Sequence, residues 1–480
     1  MRDQYAAEAL RREAIENALR SGTAVAGLAL ASLNDQSLDL TGVDRLATIS
    51  EQFLGGVWLS TYKTSPAGVE ALDKVSDLEW HLKNYSKARE FARKAKDIAL
   101  SLTASNPADM DAQQLLYEAT IRVGNAESVM GKTHYENALE EYNQAVRVAQ
   151  VIAAASDAET GVDDLIDAHM KIGDIHKDFK QYPEALAEYQ SGLSACEVAL
   201  AKHPERFDLL RNRGKAFFRI AELSRVENAD DDARTFYQKA SEVQDALVAR
   251  NAQEALVKPK SLDLSLKSNL AATYSRWGLL EKKEGKPDPA LEKFQRSAAL
   301  YDELAKSEPG NPLWLDFITP NYYDVAEILA QSDHPQDALP YYQKLADARR
   351  TLAFRGLGPA RAQEQYAEAE KLLGDHTAGL AQIDAYRAAT RIWSRLVDDP
   401  QAQNVASQQY DVVLGFAHTF DAKIDWPDAE TAYRTAMKIA YLNYVKDPEN
   451  TSWRDKGEDA ERRSVEAEQS AATAPADAPH

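Results

Sequence analysis

Few side chains of this chain are spaced for catalysis or metal binding. His169 and His176 lie seven residues apart, on one face of a predicted helix, with Asp163, Asp167 and Asp174 nearby. A metal site would need at least three convergent ligands, and a solvated helix face explains the same pattern more simply. We therefore expect neither a metal site nor a cofactor.

Cys196 is the only cysteine, which excludes a disulfide framework and every multi-cysteine metal site. It lies in a helical stretch with no basic neighbour placed to lower its pKa, so a buried structural thiol is expected. The chain contains no GxSxG, HExxH or CxxC motif, and "GLGPA" at 356–360 lacks the lysine of a phosphate-binding loop. An enzyme is therefore disfavoured; it would require a pocket with perturbed titratable groups.

The composition describes an acidic protein that can form a core. The 480 residues include 56 Lys and Arg against 76 Asp and Glu, for a net charge of −20, and 44% are hydrophobic. This charge argues against a dedicated nucleic-acid binder, whose phosphate contacts need a basic surface. The most apolar stretch, residues 24–33, is too short to span a membrane and does not fit a signal peptide. We expect a cytoplasmic protein without a membrane span.

The elements that carry these side chains recur with a regular period. An alanine followed four residues later by an aromatic residue recurs at Ala138/Tyr142, Ala185/Tyr189, Ala233/Tyr237, Ala290/Phe294, Ala338/Tyr342 and Ala429/Tyr433. With Ala88 as the first member, the alanine spacings are 50, 47, 48, 57, 48 and 91 residues. The last spacing is nearly two periods, and a weaker copy with Gln382 in the alanine position fills it.

A small residue precedes each of these alanines by twelve positions. The small column is Ser76, Ala126, Gly173, Ala221, Gly278, Ala326 and Ala417. Small residues allow two antiparallel helices to approach closely, and the alanine and aromatic residue of the second helix then fill the contact. We expect Gly173 to meet Ala185, and Gly278 to meet Ala290, across their hairpins.

These columns resemble the tetratricopeptide repeat, which has a small residue at position 8, alanine at 20, an aromatic at 24 and a small residue at 27. The resemblance covers about residues 66–450 and implies an all-α, right-handed solenoid of about eight antiparallel helical hairpins. The unit is about 48 residues long against 34 in the usual repeat, which implies helices of roughly 20–24 residues. We assign the one spacing of 57 to a longer first helix around 258–268. Residues 290–317 also resemble the long-unit repeat regions of bacterial multidomain signalling proteins.

The ends of the chain differ from the repeats. We expect residues 1–65 to form an N-terminal helical segment, either a native packing helix or the remainder of a longer upstream sequence. Residues 451–470 are expected to form a polar capping helix, and the Ala- and Pro-rich residues 471–480 a disordered tail.

The resemblance also implies a binding groove, because position 9 of the first helix faces the concave surface of tetratricopeptide folds. Five of seven such positions carry a carboxylate, which we call the acidic column: Asp77, Glu127, Asp174, Glu222 and Glu327. Position 5 supplies the candidate apolar anchors Met170, Phe218 and Tyr323. A groove lined by negative charges predicts a partner with a basic segment. The alternative is that these carboxylates lie on a solvated helix face and bind no partner.

Two functional hypotheses follow. The leading one is a non-catalytic scaffold for protein–protein interaction that binds a protein or peptide in its concave groove. The alternative is a regulatory or sensor region of a larger bacterial signalling or defence protein whose effector domain lies outside this chain.

Overall fold

The computed structural model describes residues 23–30, 45–49, 65–155, 159–257, 263–355, 359–400, 402–423 and 425–473. Of these residues 88% are helical, and none of them forms a β-strand. The predicted all-α fold is therefore confirmed. Most of the predicted N-terminal segment, and residues 474–480 of the predicted tail, lie outside the described residues.

Helices follow one another from residue 66 onward, and most of them span five or six turns. They are α1 Pro66–His81, α2 Tyr85–Ser105, α3 Met110–Val129, α4 Tyr135–Ala155, α5 Glu159–Asp178, α6 Tyr182–Lys202, α7 Phe207–Val226, α8 Asp230–Val257, α9 Leu264–Lys283, α10 Pro287–Ser307, α11 Pro312–Ala330, α12 Leu339–Arg355, α13 Pro359–Asp375, α14 Leu380–Asp398, α15 Gln403–Ala406, α16 Tyr410–Ala422, α17 Trp426–Lys446 and α18 Ser452–Thr473. Before residue 66, residues 23–30 and 45–49 are also helical.

Neighbouring helices pair into antiparallel hairpins because short turns return the chain along the helix it has just left. The hairpins are α1/α2, α3/α4, α5/α6, α7/α8, α9/α10, α11/α12, α13/α14 and α16/α17. Second helices also pack on the first helix of the next hairpin, as α2 does on α3 and α4 on α5. This arrangement of stacked hairpins confirms the predicted solenoid class, in which each repeat is stabilised by its neighbours.

The chain divides into two compact units, Met1–Gln253 and Glu254–His480, and the division falls within α8. Helix α8 also explains the long spacing in the repeat. It has 28 residues, whereas the following first helix, α9, has 20. The prediction that a longer first helix causes this spacing is therefore wrong, because the additional residues extend the preceding second helix. The other predicted domain boundaries stay predictions.

Four hairpins close with the same turn. One residue in each turn has a positive φ: Lys83 (62°), Lys180 (61°), Asn228 (60°) and Gly285 (70°). The next backbone N–H then reaches the carbonyl five residues earlier, as from Gln181 to His176 at 2.8 Å. This is the Schellman motif, which satisfies carbonyls at the end of a helix. Only one of the four turns uses glycine, the residue for which this conformation costs least.

The small column allows close packing inside the hairpins. A Cβ atom added to Gly173 would lie 2.4 Å from Cε1 of Tyr189, and one added to Gly278 would lie 2.8 Å from Cδ1 of Phe294. At Gly173 the three atoms nearest to such a Cβ all belong to the Tyr189 ring. The equivalent small residue and alanine of the first hairpin are in contact, since Ser76 Oγ donates to the Ala88 carbonyl at 2.9 Å, whereas the contact of Gly173 with Ala185 stays a prediction. Glycine is thus required at residue 173 because the aromatic ring occupies the space beside the first helix.

Candidate functional site

The exposed members of the acidic column pair with arginines of the next hairpin. The Asp77 carboxylate lies 2.9 Å from Arg122 Nε, and the Asp174 carboxylate lies 2.9 Å from Arg219 Nη2. In both pairs the arginine follows 45 residues later, so the contact joins two successive repeats. The Asp77 and Asp174 side chains keep exposed fractions of 40% and 35%, so both ion pairs lie at the surface.

Buried tyrosines occupy the other side of the acidic column. In three repeats, the tyrosine fifteen residues after the acidic residue donates its hydroxyl to the carboxylate. The pairs are Tyr189 to Asp174 at 2.7 Å, Tyr237 to Glu222, and Tyr342 to Glu327 at 2.9 Å. These three tyrosines are fully buried. Burial, together with the adjacent carboxylate, raises the pKa of each phenol above its usual value, so each remains a hydrogen-bond donor at neutral pH.

The hairpin α9/α10 differs from these three repeats at both positions. Its aromatic position carries Phe294, which has no hydroxyl, and its position 9 carries Leu279 instead of a carboxylate. A buried phenol needs an acceptor, whereas a phenyl ring does not. The carboxylates at Asp174, Glu222 and Glu327 are therefore explained by their tyrosine partners. The relation does not extend to every repeat, because Tyr142 donates to Asn125 and Tyr433 donates to Asp421.

Glu127 is the most deeply buried member of the acidic column. Its side chain has no exposed surface, and it bonds to Arg93 at 2.6 Å, to Arg89 at 3.4 Å and to the His134 ring. The two arginines project from α2, so this carboxylate joins α2 to α3. A buried charge requires such partners. Glu127 therefore supports the packing of two hairpins and offers no surface to a ligand.

The three predicted apolar anchors differ in exposure. Met170 is 4% exposed and packs in the core, where its Cε atom would lie 2.5 Å from a Cβ atom added to Gly192. Phe218 is half-buried, with its ring 6.2 Å from that of Tyr237. Tyr323 is 39% exposed. Of the three, Tyr323 thus presents the most accessible surface.

Tyr323 belongs to a row of exposed apolar residues on α11, which position 5 alone did not predict. Its members are Leu313 (48% exposed), Phe317 (44%), Pro320 and Tyr323 (39%), and we call this row the α11 stripe. The successive spacings of four, three and three residues place them on one helix face. Contiguous exposed apolar residues mark interaction sites more often than isolated ones do.

The residues considered for catalysis have local partners. Cys196 is buried and its thiol donates to the Leu209 carbonyl at 3.1 Å, and burial raises its pKa to about 12. The predicted structural thiol is thus confirmed. His169 bonds to Glu188 at 2.7 Å. Within the described residues, no three His, Cys, Asp or Glu side chains converge to hold a metal ion, and no helix is long and apolar enough to cross a membrane.

Solved structures of low sequence identity share the helical arrangement of this chain. No family model matches it, and no curated protein matches it in sequence. Similar solved structures include BtubC from P. vanneervenii (14% identity, TM-score 0.44, 56% of this chain and 92% of that one). Others are aspartyl phosphate phosphatase F from Bacillus subtilis (14%, 0.40, 94% of both chains) and the quorum sensor NprR from B. thuringiensis (12%, 0.42, 89% and 98%). At these values the likeness carries no argument about function.

Proposed function

We propose that this chain is a non-catalytic interaction scaffold that binds a peptide or protein segment, with the α11 stripe as the binding site. The observation that supports the proposal is the row of exposed Leu, Phe, Pro and Tyr side chains on one face of a first helix. Apolar and aromatic side chains of this kind anchor most peptide and protein interfaces.

Polar groups surround the stripe, as expected of an interface. The Lys282 ammonium lies 5.9 Å from the centre of the Tyr323 ring and 2.6 Å from the Asp324 carboxylate. Glu327 follows Tyr323 by four residues on the same face. The proposal therefore keeps Tyr323 and Glu327 from the predicted groove and adds Phe317 as the central anchor.

A basic segment remains our hypothesis for part of the partner. Asp77 and Asp174 are the members of the acidic column with the exposure to meet such a segment, which would compete with Arg122 and Arg219. Arg122 and Arg219 are only 24% and 29% exposed, and an exposed ion pair contributes about 1 kcal/mol or less, so such a segment would need several basic side chains together with apolar anchors. Glu127 takes no part in this hypothesis because its carboxylate is buried.

The second candidate function is that of a regulatory region within a larger bacterial signalling or defence protein in the cytoplasm. Its support is the long repeat unit and the resemblance of residues 290–317 to the repeat regions of such proteins. In that context the α11 stripe would bind either the effector domain or the segment that controls it.

Selection from a displayed library of random dodecapeptides tests the scaffold proposal. Fluorescence anisotropy then compares the selected peptides on the wild type, on a Phe317→Ser/Tyr323→Ser variant, and on a Phe354→Ser/Leu380→Ser control. Phe354 and Leu380 are 74% and 73% exposed and lie outside the stripe, so the control removes comparable apolar surface. We expect the stripe variant to lose about tenfold or more in affinity, because truncated anchor residues cost over about 1 kcal/mol each.

Two outcomes would contradict the proposal. One is a library selection that enriches no binding peptide for the wild type. The other is an equal affinity of the selected peptides for the stripe variant and the control.

A further inference from the structure

The central anchor of the α11 stripe is held in place by other aromatic rings. The centre of the Phe317 ring lies 5.8 Å from that of Tyr301 on α10 and 6.2 Å from that of Trp314 on α11. An anchor that is already packed in this way loses little conformational freedom when a partner covers it. The stripe therefore offers a preformed apolar surface, which runs roughly 15 Å along the helix from Leu313 to Tyr323.

Carboxylates line one edge of the stripe. Asp316, which precedes the central anchor, pairs with Arg349 on α12 at 3.3 Å, and the same guanidinium donates to Gln365 on α13 at 2.8 Å. Arg349 thus joins this part of α13 to α11. Glu364 and Glu368 are four residues apart on one face of α13, on either side of Gln365 in the sequence. Both glutamates therefore lie on the side of the stripe that carries Asp316.

These two glutamates lack an ion-pair partner. Glu364 is half-buried and Glu368 is exposed, and within the described part of the chain neither forms a hydrogen bond or an ion pair. Burial raises the pKa of both carboxyls, although nearby cations act in the opposite direction. Their negative charges are thus poorly solvated, and a cation supplied by a partner would stabilise the ionised forms.

The cations that act on these glutamates are mostly engaged elsewhere. Arg349 pairs with Asp316, as described above, and Lys371 pairs with Asp375 at 2.5 Å. Arg361 is exposed and lies one turn before the first of the two glutamates. Among the described residues, Arg361 alone is therefore left to balance two carboxylates.

A helical partner fits this surface better than an extended one. An extended segment needs hydrogen-bond partners for its backbone, and no β-strand in the described ranges offers it an edge. Within α11, Pro320 has no N–H for the Asp316 carbonyl, but the Thr319 hydroxyl donates to this carbonyl at 3.1 Å. A helix satisfies its own backbone, and its apolar side chains recur at the same intervals as those of the stripe.

We propose that the α11 stripe binds an amphipathic helix with a basic flank, contributed by a partner protein. The apolar face of that helix packs on Leu313, Phe317 and Tyr323, and Lys or Arg side chains on its flank pair with Glu364 and Glu368. This inference rests on the function proposed above, because it names the partner of the same site. All of these residues lie in the second compact unit.

Fluorescence anisotropy with the labelled peptide Ala-Leu-Lys-Lys-Phe-Leu-Lys-Ala-Leu-Lys-Lys-Phe-Ala-Lys tests the inference on the full chain. The leucines and phenylalanines of this basic peptide share one face of a helix, and its lysines share the other. One control peptide has Gln in place of every Lys. A second control has the same composition in an order that distributes the apolar residues around the helix.

The test protein is a Glu364→Gln/Glu368→Gln variant. The matched control is Glu136→Gln/Glu140→Gln, which also removes two carboxylates four residues apart on one helix, α4. We expect the basic peptide to bind the test variant about threefold more weakly or worse, and to bind the control like the wild type. Raising the salt from about 0.05 to 0.5 M should weaken this binding, because screening shortens the range of the interaction. Circular dichroism and thermal melting verify the fold of each variant.

Several outcomes would overturn the inference. They are no binding of the basic peptide to the wild type, equal binding of the basic peptide and either control peptide, and equal affinity of the basic peptide for the two glutamine variants. Peptides selected from the library distinguish this failure from that of the proposed function. If they require Phe317 and Tyr323 but bind Glu364→Gln/Glu368→Gln normally, the proposed function stands and this inference fails. If the basic peptide binds Phe317→Ser/Tyr323→Ser as tightly as the wild type, both fail.

Discussion

At the scale of single residues, the carboxylate of Asp174 connects three helices. Asp174 lies in α5. Its carboxylate accepts a hydrogen bond from the Tyr189 hydroxyl on α6 and forms an ion pair with Arg219 on α7. Because the phenol is buried, loss of its acceptor would leave a polar group without a partner in the core. This carboxylate therefore links the two helices of its own hairpin to each other and to the first helix of the next hairpin.

Replacement of Tyr189 by Phe tests this role. We expect the free energy of unfolding to fall by about 1–2 kcal/mol, since the variant loses one buried hydrogen bond to a charged acceptor. Denaturant titration measures the change. Tyr323→Phe is the control, because that residue is 39% exposed whereas Tyr189 is fully buried. Equal stability of the two variants would show that the phenol–carboxylate pair does not matter.

Asp73 provides a pH-dependent prediction. It is 4% exposed, and burial raises the pKa of its carboxyl to about 7, although Arg122 acts in the opposite direction. The folded state therefore favours the protonated form. This contribution to stability is complete below about pH 4 and is lost as the pH rises through about 7. The side chain of the Asp73→Asn variant does not titrate, so the variant does not lose this contribution as the pH rises. Its free energy of unfolding, relative to that of the wild type, should therefore increase by about 2–3 kcal/mol between pH 5 and pH 8.

Denaturant unfolding of the wild type and Asp73→Asn at several pH values checks this expectation. A constant difference between the two proteins across that range would exclude a raised pKa at Asp73. The contact with Arg122, at 3.2 Å, stabilises the ionised form of Asp73 and is therefore part of the pH dependence that the wild type shows.

At the scale of helices and turns, two hairpins depend on a backbone conformation that lysine does not favour, at Lys83 and Lys180. Lys180 ends α5 with a φ of 61° in a Schellman motif. Lysine in this conformation costs about 1 kcal/mol relative to glycine. We therefore expect Lys180→Gly to raise the stability by up to about 1 kcal/mol. Lys177→Gly, inside the same helix, should instead lower it by a similar amount. Thermal melting of the two variants would contradict this account if both shifted in the same direction.

The small column gives a second prediction at this scale. Gly173→Ala would place a methyl group 2.4 Å from the Tyr189 ring, so we expect a loss of about 1–3 kcal/mol despite the better helix propensity of alanine. Gly415→Ala is the matched control, because a Cβ atom there would have no neighbour within 4 Å. Its helix should be stabilised by up to about 1 kcal/mol. Denaturant titration measures both changes, and a stabilised Gly173→Ala would refute the close packing.

At the scale of the whole molecule, stability is distributed along the chain. Each hairpin contacts chiefly its neighbours in sequence, and the chain divides into two compact units. A local defect should therefore spread only a short distance. In Gly173→Ala we expect faster amide hydrogen exchange in α5, α6 and the adjoining helices. Exchange in α13, α14 and α17 should remain unchanged. Faster exchange throughout the second unit would indicate a single cooperative structure.

Much of the fold could be predicted from the sequence because its signals are local. The spacing of Gly173 from Tyr189, or of Gly278 from Phe294, reflects two helices and one turn, and the same interval recurs along the chain. Helical periodicity and the turn length then determine which faces of a hairpin meet. The order of the hairpins and the small column at their contacts follow from that regularity.

The candidate sites depended on contacts that no local spacing specifies. Asp174 and Arg219 are 45 residues apart, and they meet because two successive hairpins pack at a particular angle and register. The same packing buries Glu127 and Met170 completely or nearly so, while it leaves Tyr323 exposed. A helical position determines a direction around its own axis, but the neighbouring helices determine whether a side chain in that direction reaches a partner, the core or water.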